Sequence, residues 1–132
     1  MLEALFFLWE LPQNILGLLL WTYARRQVTH IHRAQGRVFL HAPFGVSLGR
    51  YVFWCGTGDA GERIRYHEYG HTFQSRLLGP LYLLLVGVPS LSRNVYSRLH
   101  YQLKGAYWPH YYQGYPERWA DELAARHAAD EI

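Results

Sequence analysis

Cysteine is nearly absent from this chain. A single thiol, Cys55, in 132 residues excludes an internal disulfide framework and is compatible with a reducing compartment. It also excludes a zinc site built on paired cysteines at short spacing, so Cys55 is expected to pack as a small apolar residue. Charge is sparse too: 17% of residues are charged, against about 25% in an average protein. The formal net charge is only +3, and basic residues are scattered among acidic ones. Without a concentrated basic stripe, nucleic acid is excluded as a partner. The glycine-rich stretch 56–61 lacks the Lys-Ser/Thr of a P-loop and the spacing of a dinucleotide fingerprint. It therefore reads as a strand-to-helix connection and not as a phosphate cradle. No repeat, low-complexity tract or linker appears. The length implies one domain, residues 1–132, with little room for a separate regulatory module.

Half of the residues are apolar, and aromatic content is high, with 11 Tyr and 5 Trp. Such a chain either packs tightly or touches a lipid or partner surface. The apolar residues concentrate first at the N-terminus, where residues 4–23 are mostly apolar, interrupted by Glu10, Pro12, Gln13 and Asn14, and are followed by Arg25 and Arg26. About 20 residues suffice to cross a bilayer as a helix. A signal peptide is not expected, since the start carries Glu3 in place of a positive n-region. If the segment spans, Arg25 and Arg26 place the catalytic part in the cytoplasm. The competing picture is two short helices broken at Pro12, lying in the membrane interface or buried against a cytoplasmic domain. The expected division is an apolar, membrane-attached segment over 1–26 and a core over 27–132.

That core should open with a small sheet. Residues 37–41 and 46–54 have strand composition, and Pro43-Phe44-Gly45 marks the turn between them. Gly49, inside the second run, points to a bulge or a close backbone approach. Ile64, Tyr66, Tyr69, Phe73 and Leu77 then recur at helical spacing, and Gly79-Pro80 ends that helix. The apolar run 81–89 is too short to span a bilayer and is expected as a buried segment or a re-entrant turn. Ser92 is placed to cap a helix reaching Lys104, with Gly105 just beyond its end. Pro116 suits the start of a last helix.

The motif helix carries the chemistry. His67-Glu68-Tyr69-Gly70-His71 sets two imidazoles one turn apart on one face, where both can meet one metal ion. Glu68, about 100° around the helix from His67, lies beside that ion, where a general base for a metal-activated water belongs. In the last helix, Glu117 can supply an anionic third ligand, and Asp121, one turn on, can orient a ligand imidazole. Two imidazoles, one carboxylate and an open position suit catalytic zinc. The three-histidine pattern is excluded, because position 74 is Gln and position 77 is Leu. Alanines beside Glu117 and Asp121, at 124 and 128, would let the last helix approach Gly70 closely. His127 is nearly three turns from Glu117 and is expected as a surface or core histidine.

These two motifs resemble those of the gluzincin metallopeptidases. The form H-E-x-G-H followed by E-x-x-A-D looks most like the membrane-associated CAAX-prenyl-protease and heat-shock-protease group, here in a minimal version. The resemblance implies Zn²⁺ on His67, His71 and Glu117, with Glu68 as catalytic base and Asp121 behind a ligand. It also implies an edge strand that lines the cleft and holds an extended peptide. Zinc peptidases often use Tyr or His to donate to the oxyanion, which makes His110, Tyr111 and Tyr112 candidates, with aromatic packing as the default role of each.

The expectation is an α+β, zincin-like domain: an apolar helical segment, a small sheet, the motif helix, a connecting helix and a ligand helix. The expected activity is zinc-dependent hydrolysis of a peptide or protein substrate. The alternative is a membrane-associated zinc-binding scaffold without turnover.

Overall fold

The computed structural model describes residues 2–106, 108 and 114–127. The architecture is α+β. Helices α1 (Leu2–Trp9) and α2 (Leu11–Ala24) precede four strands, β1 (His30–Ala34), β2 (Arg37–His41), β3 (Val46–Leu48) and β4 (Tyr51–Trp54). Helix α3 (Gly58–Leu78) follows, then a 3₁₀ turn at Gly79–Leu81 and a π turn at Leu83–Gly87. Helices α4 (Val88–Lys104) and α5 (Glu117–Arg126) complete the order.

The strands form one mixed sheet in the order β1-β2-β4-β3. β2 and β4 pair in parallel, with Phe39 opposite Val52, and the two outer strands run antiparallel to them. Alternation across the pleat sends Val38, Leu40, Tyr51 and Phe53 to one face, where Leu20 and Trp21 of α2 cover them. Phe39 and Val52 point to the other face, against Tyr69 and Phe73 of α3. The sheet is thus enclosed by α2 and α3. This explains why β2 reads as an unbroken apolar run. Arg37 at the start of β2 is buried. It donates to Thr72 Oγ1 (2.9 Å) and lies over the rings of Tyr69 and Phe73. Burial lowers its pKa to about 10, which leaves it cationic at neutral pH.

Several sequence expectations are revised. The run 46–54 is not one strand with a bulge. It folds back at Gly49-Arg50 into two antiparallel strands, with Leu48 opposite Tyr51. Gly49 sits at φ +65°, where a side chain would be strained and would collide with the Asn14 amide; the Asn14 Oδ1 accepts from the Arg50 N–H at 2.8 Å. β1 was not expected at all. The helix after the motif starts at Val88 and not at Ser92, whose hydroxyl instead donates back to the Val88 carbonyl. Gly105 does terminate it, in the left-handed conformation. The N-terminal helices break at Glu10, not Pro12, which lies inside the first turn of α2. Of the run 81–89, only Tyr82 and Val86 are buried, while Leu81, Leu84, Leu85 and Val88 are exposed. No single helix among the described residues is long and apolar enough to cross a membrane, although α1 and α2, bent by 87°, reach the required length and composition as a pair.

Candidate metal centre

The site is built on α3, whose buried side is polar. His67, Glu68, His71, Thr72, Gln74 and Ser75 are all buried there, while Leu77, expected in the apolar stripe, is 65% exposed. Buried polar groups need partners, and those around the two imidazoles are specific. His67 Nδ1–H donates to Asp121 Oδ1 at 2.8 Å. His71 Nδ1–H donates to Gln74 Oε1 at 2.6 Å, and Gln74 Nε2 donates onward to the Pro116 carbonyl at 3.0 Å. Both rings therefore carry their proton on Nδ1, so a metal ion would be met through Nε2 of each. The rings stand edge to face, 4.8 Å between centroids. One ligand atom each from His67, Glu68 and His71 fall within 4.8 Å of one another, a group that could hold a metal ion.

Glu117 is brought against His71 by a close contact between helices α3 and α5. Gly70 of α3 faces the backbone of Ala120 on α5: a Cβ at position 70 would lie against the Ala120 carbonyl, 2.6 Å from its carbon. Only glycine permits that approach. The approach works through Ala120; Ala124 is buried farther along α5, and Ala128 lies outside the described residues. As a result Glu117, fully buried, sets its Oε1 3.6 Å from His71 Nε2. Two ligands on a tetrahedral zinc with bonds of about 2.0–2.1 Å stand about 3.4 Å apart. Glu117 Oε1 accepts from Ser90 Oγ at 2.6 Å, whereas Glu117 Oε2 is buried with no hydrogen-bond partner. An orphaned oxygen on a buried carboxylate that lies next to the His71 imidazole is what a cation would satisfy, so the donor set fits a metal.

The electrostatics agree with that arrangement. Burial pushes the Glu68 carboxyl above its ordinary value, against the pull of His71 and His67. Burial also pushes Glu117 upward, but the neighbouring His71 and the hydrogen bond from Ser90 outweigh it and hold the carboxyl low. His71 is raised in turn, because its contacts with Glu117 and Glu68 overcome burial. Burial pushes the Cys55 thiol upward, with Glu68 adding to the effect. An open groove of about 360 Å³, lined by Arg63, Tyr66, His67, Asp121, Ala124 and Ala125, gives solvent access on the Asp121 side. Gly45, just before the edge strand β3, stands so close to Glu68 that an added Cβ would lie 3.6 Å from Glu68 Oε1. Tyr82 fixes that strand by donating to the Ser47 carbonyl at 3.1 Å.

Gln74, Ser90 and Tyr82 escaped the sequence reading. Gln74 had a signal available, an amide three residues after a candidate ligand on the same helix; Ser90 and Tyr82 had none. His110, Tyr111 and Tyr112 lie outside the described residues. His127 stacks on Phe73 with 4.0 Å between centroids and takes no part in the cluster. Compared with known proteins, the chain matches no family model, no curated protein and no solved structure. The arrangement described therefore stands on its own geometry: a buried His-Glu-His group on one helix, with a carboxylate from a second.

Proposed function

We propose that the protein is a zinc-dependent metallopeptidase of the gluzincin type, with His67, His71 and Glu117 as ligands and Glu68 as general base. The observation that carries this reading is a buried His67-Glu68-His71 group whose imidazoles are oriented through Nδ1, with the buried, half-unpartnered Glu117 carboxylate set against His71. When bound, zinc supplies Lewis acidity, lowering the pKa of water to about 7 and polarising a carbonyl. The remaining work falls to the chain. Glu68, made more basic by burial, accepts the proton that the attacking water loses and passes it to the departing amine. Asp121 and Gln74 hold the two imidazoles in register. A peptide laid along the β3 edge passes Glu68 at Gly45, where no side chain intervenes. A purely structural metal site has no use for a carboxylate at the position of Glu68, which favours turnover over a scaffold role.

The test is Glu68→Gln in the full chain, with zinc content and cleavage of a broad peptide library measured together. Zinc should stay stoichiometric while cleavage falls by about 10² to 10⁴, the usual contribution of a general base. Wild-type protein that is fully loaded yet cleaves nothing would hand the site to the scaffold reading. Cleavage unchanged in Glu68→Gln would remove Glu68 from its role.

A further inference from the structure

Two helices of this protein have their polarity reversed. A helix packed on a domain in water buries its apolar stripe and exposes its polar side. At the start of α2 the opposite holds, although Leu20 and Trp21 farther along pack on the sheet. Gln13 and Asn14 are fully buried, as is Glu10 just before the helix, while Leu11, Ile15 and Leu19 are 38–61% exposed. The buried amides are put to use: Gln13 donates to Ser75 Oγ and to the Gly79 carbonyl, and Asn14 donates to the Phe7 carbonyl. The reversal recurs independently on α4. No α4 residue is buried, and its half-covered side carries Ser90, bonded to Glu117, and Arg93, over the Trp108 ring. Val88, Leu91, Val95 and Leu99, spaced three or four apart, form a stripe that is 48–66% exposed.

The two stripes are linked through the turns between α3 and α4, which touch α2 on one side and α4 on the other. Trp9 at the end of α1 rests on Gly79 and donates to the Arg76 carbonyl. Leu77 and Leu81, on either side of Gly79, carry the apolar surface onward toward α4. Among the described residues, every exposed large apolar side chain except Ile31 and Tyr115 belongs to α1, α2 or the stretch from residue 77 to 103. Water does not stabilise two helices turned apolar side out; an apolar solvent does.

Charge decides which apolar medium. The acids on these segments are spoken for: Glu3 pairs with Arg76 and Glu10 is buried. The exposed charges left at the borders are Arg25, Arg26, Arg98 and Lys104, all positive. A second copy docking through the same face would set like charges against like, whereas anionic headgroups neutralise them. Nor does the surface fit a spanning element. α2, with 14 residues, is about 21 Å long against a hydrocarbon core of about 30 Å, and α1 leaves it at 87°. We propose that this face lies in the headgroup–acyl boundary of one leaflet of an anionic bilayer. There α1, α2 and α4 sink their outer sides without crossing, and the His67–His71 cluster stays on the aqueous side.

The test is flotation of the purified full chain with vesicles of phosphatidylcholine alone and of phosphatidylcholine mixed with phosphatidylglycerol. The chain should float with the mixed vesicles and much less with the neutral ones. Ile15→Glu combined with Leu91→Glu changes only exposed positions. It should keep the wild-type circular dichroism and zinc content while weakening vesicle binding by about tenfold or more. A wild-type chain that floats with neither vesicle, or a double variant that floats like wild type, overturns the proposal. So does a detergent-free dimer that the double variant converts to monomer with no vesicle binding by either form, since a second copy would then cover the face. None of these outcomes depends on peptidase activity.

Discussion

Gly70→Ala is the smallest change that should dismantle the site without touching a ligand. The added Cβ would sit 2.6 Å from the Ala120 carbonyl carbon and 3.1 Å from its Cα, where carbon atoms need about 3.5 Å. Helices α3 and α5 must therefore separate by at least about 0.9 Å, and by more to clear the carbonyl oxygen, which is nearer still. The obstacle is backbone, so no rotamer change relieves it. Overpacking of this kind costs about 1–3 kcal/mol, while removing a mid-helix glycine returns about 0.5–1 kcal/mol. A net loss of up to about 2.5 kcal/mol should lower the thermal midpoint by up to about 10 °C in a chain of this size. The metal is affected more, since ligand distances tolerate only about 0.2 Å and Glu117 rides on the displaced helix. Zinc titration and calorimetry on the same samples should show weakened binding together with the lower midpoint. Gly87→Ala is the control, because its added Cβ meets nothing closer than 3.7 Å. If Gly70→Ala binds zinc like wild type and melts at or above it, the account of how α5 delivers Glu117 is wrong.

Two other expectations can be checked alongside. Gln74→Leu removes the acceptor of the His71 Nδ1–H and the tether to Pro116. It should weaken zinc binding by about 10 to 100-fold, with Gln74→Glu restoring much of the affinity; equal zinc affinity in all three proteins would deny Gln74 its positioning role. Glu10 is buried, and burial raises its carboxyl above the ordinary value of 4.5 against the pull of Ser75, Arg76 and Arg37. A raised folded-state pKa gives stability that is complete below the unfolded value and lost as pH rises through the folded one. Glu10→Gln should thus gain little at about pH 4 and increasingly more toward neutral pH, read as thermal midpoints; a variant less stable than wild type at neutral pH would contradict the sign.

The α3 cluster was legible because helical periodicity alone places positions 67 and 71 together. The end of α4 was legible because Gly105 adopts the one conformation its sequence context calls for. β1 was not, since His30-Ile31-His32-Arg33-Ala34 is an exposed edge strand with no apolar alternation to announce it. The Gly49-Arg50 hairpin hid inside a run of strand-forming residues, and its cause, Asn14, lies far away in sequence. The apolar run 81–89 was expected as a buried segment or a re-entrant turn, and burial holds only for Tyr82 and Val86. Its exposure, like that of Leu11 and Ile15, follows from where the polar partners Ser75, Gly79 and Glu117 sit, which no local pattern encodes. Glu117 was legible as a candidate, but its reach depends on the Gly70–Ala120 contact.

Zinc K-edge X-ray absorption of the purified full chain, compared with Glu117→Ala, tests the metal centre most directly. The account predicts one zinc per chain, a shell of nitrogen and oxygen atoms at about 2.0–2.1 Å with two imidazoles in it, and loss of bound zinc in the variant. A sulfur scatterer at about 2.3 Å, which would bring in Cys55, or full zinc occupancy with an unchanged shell in Glu117→Ala, would contradict it.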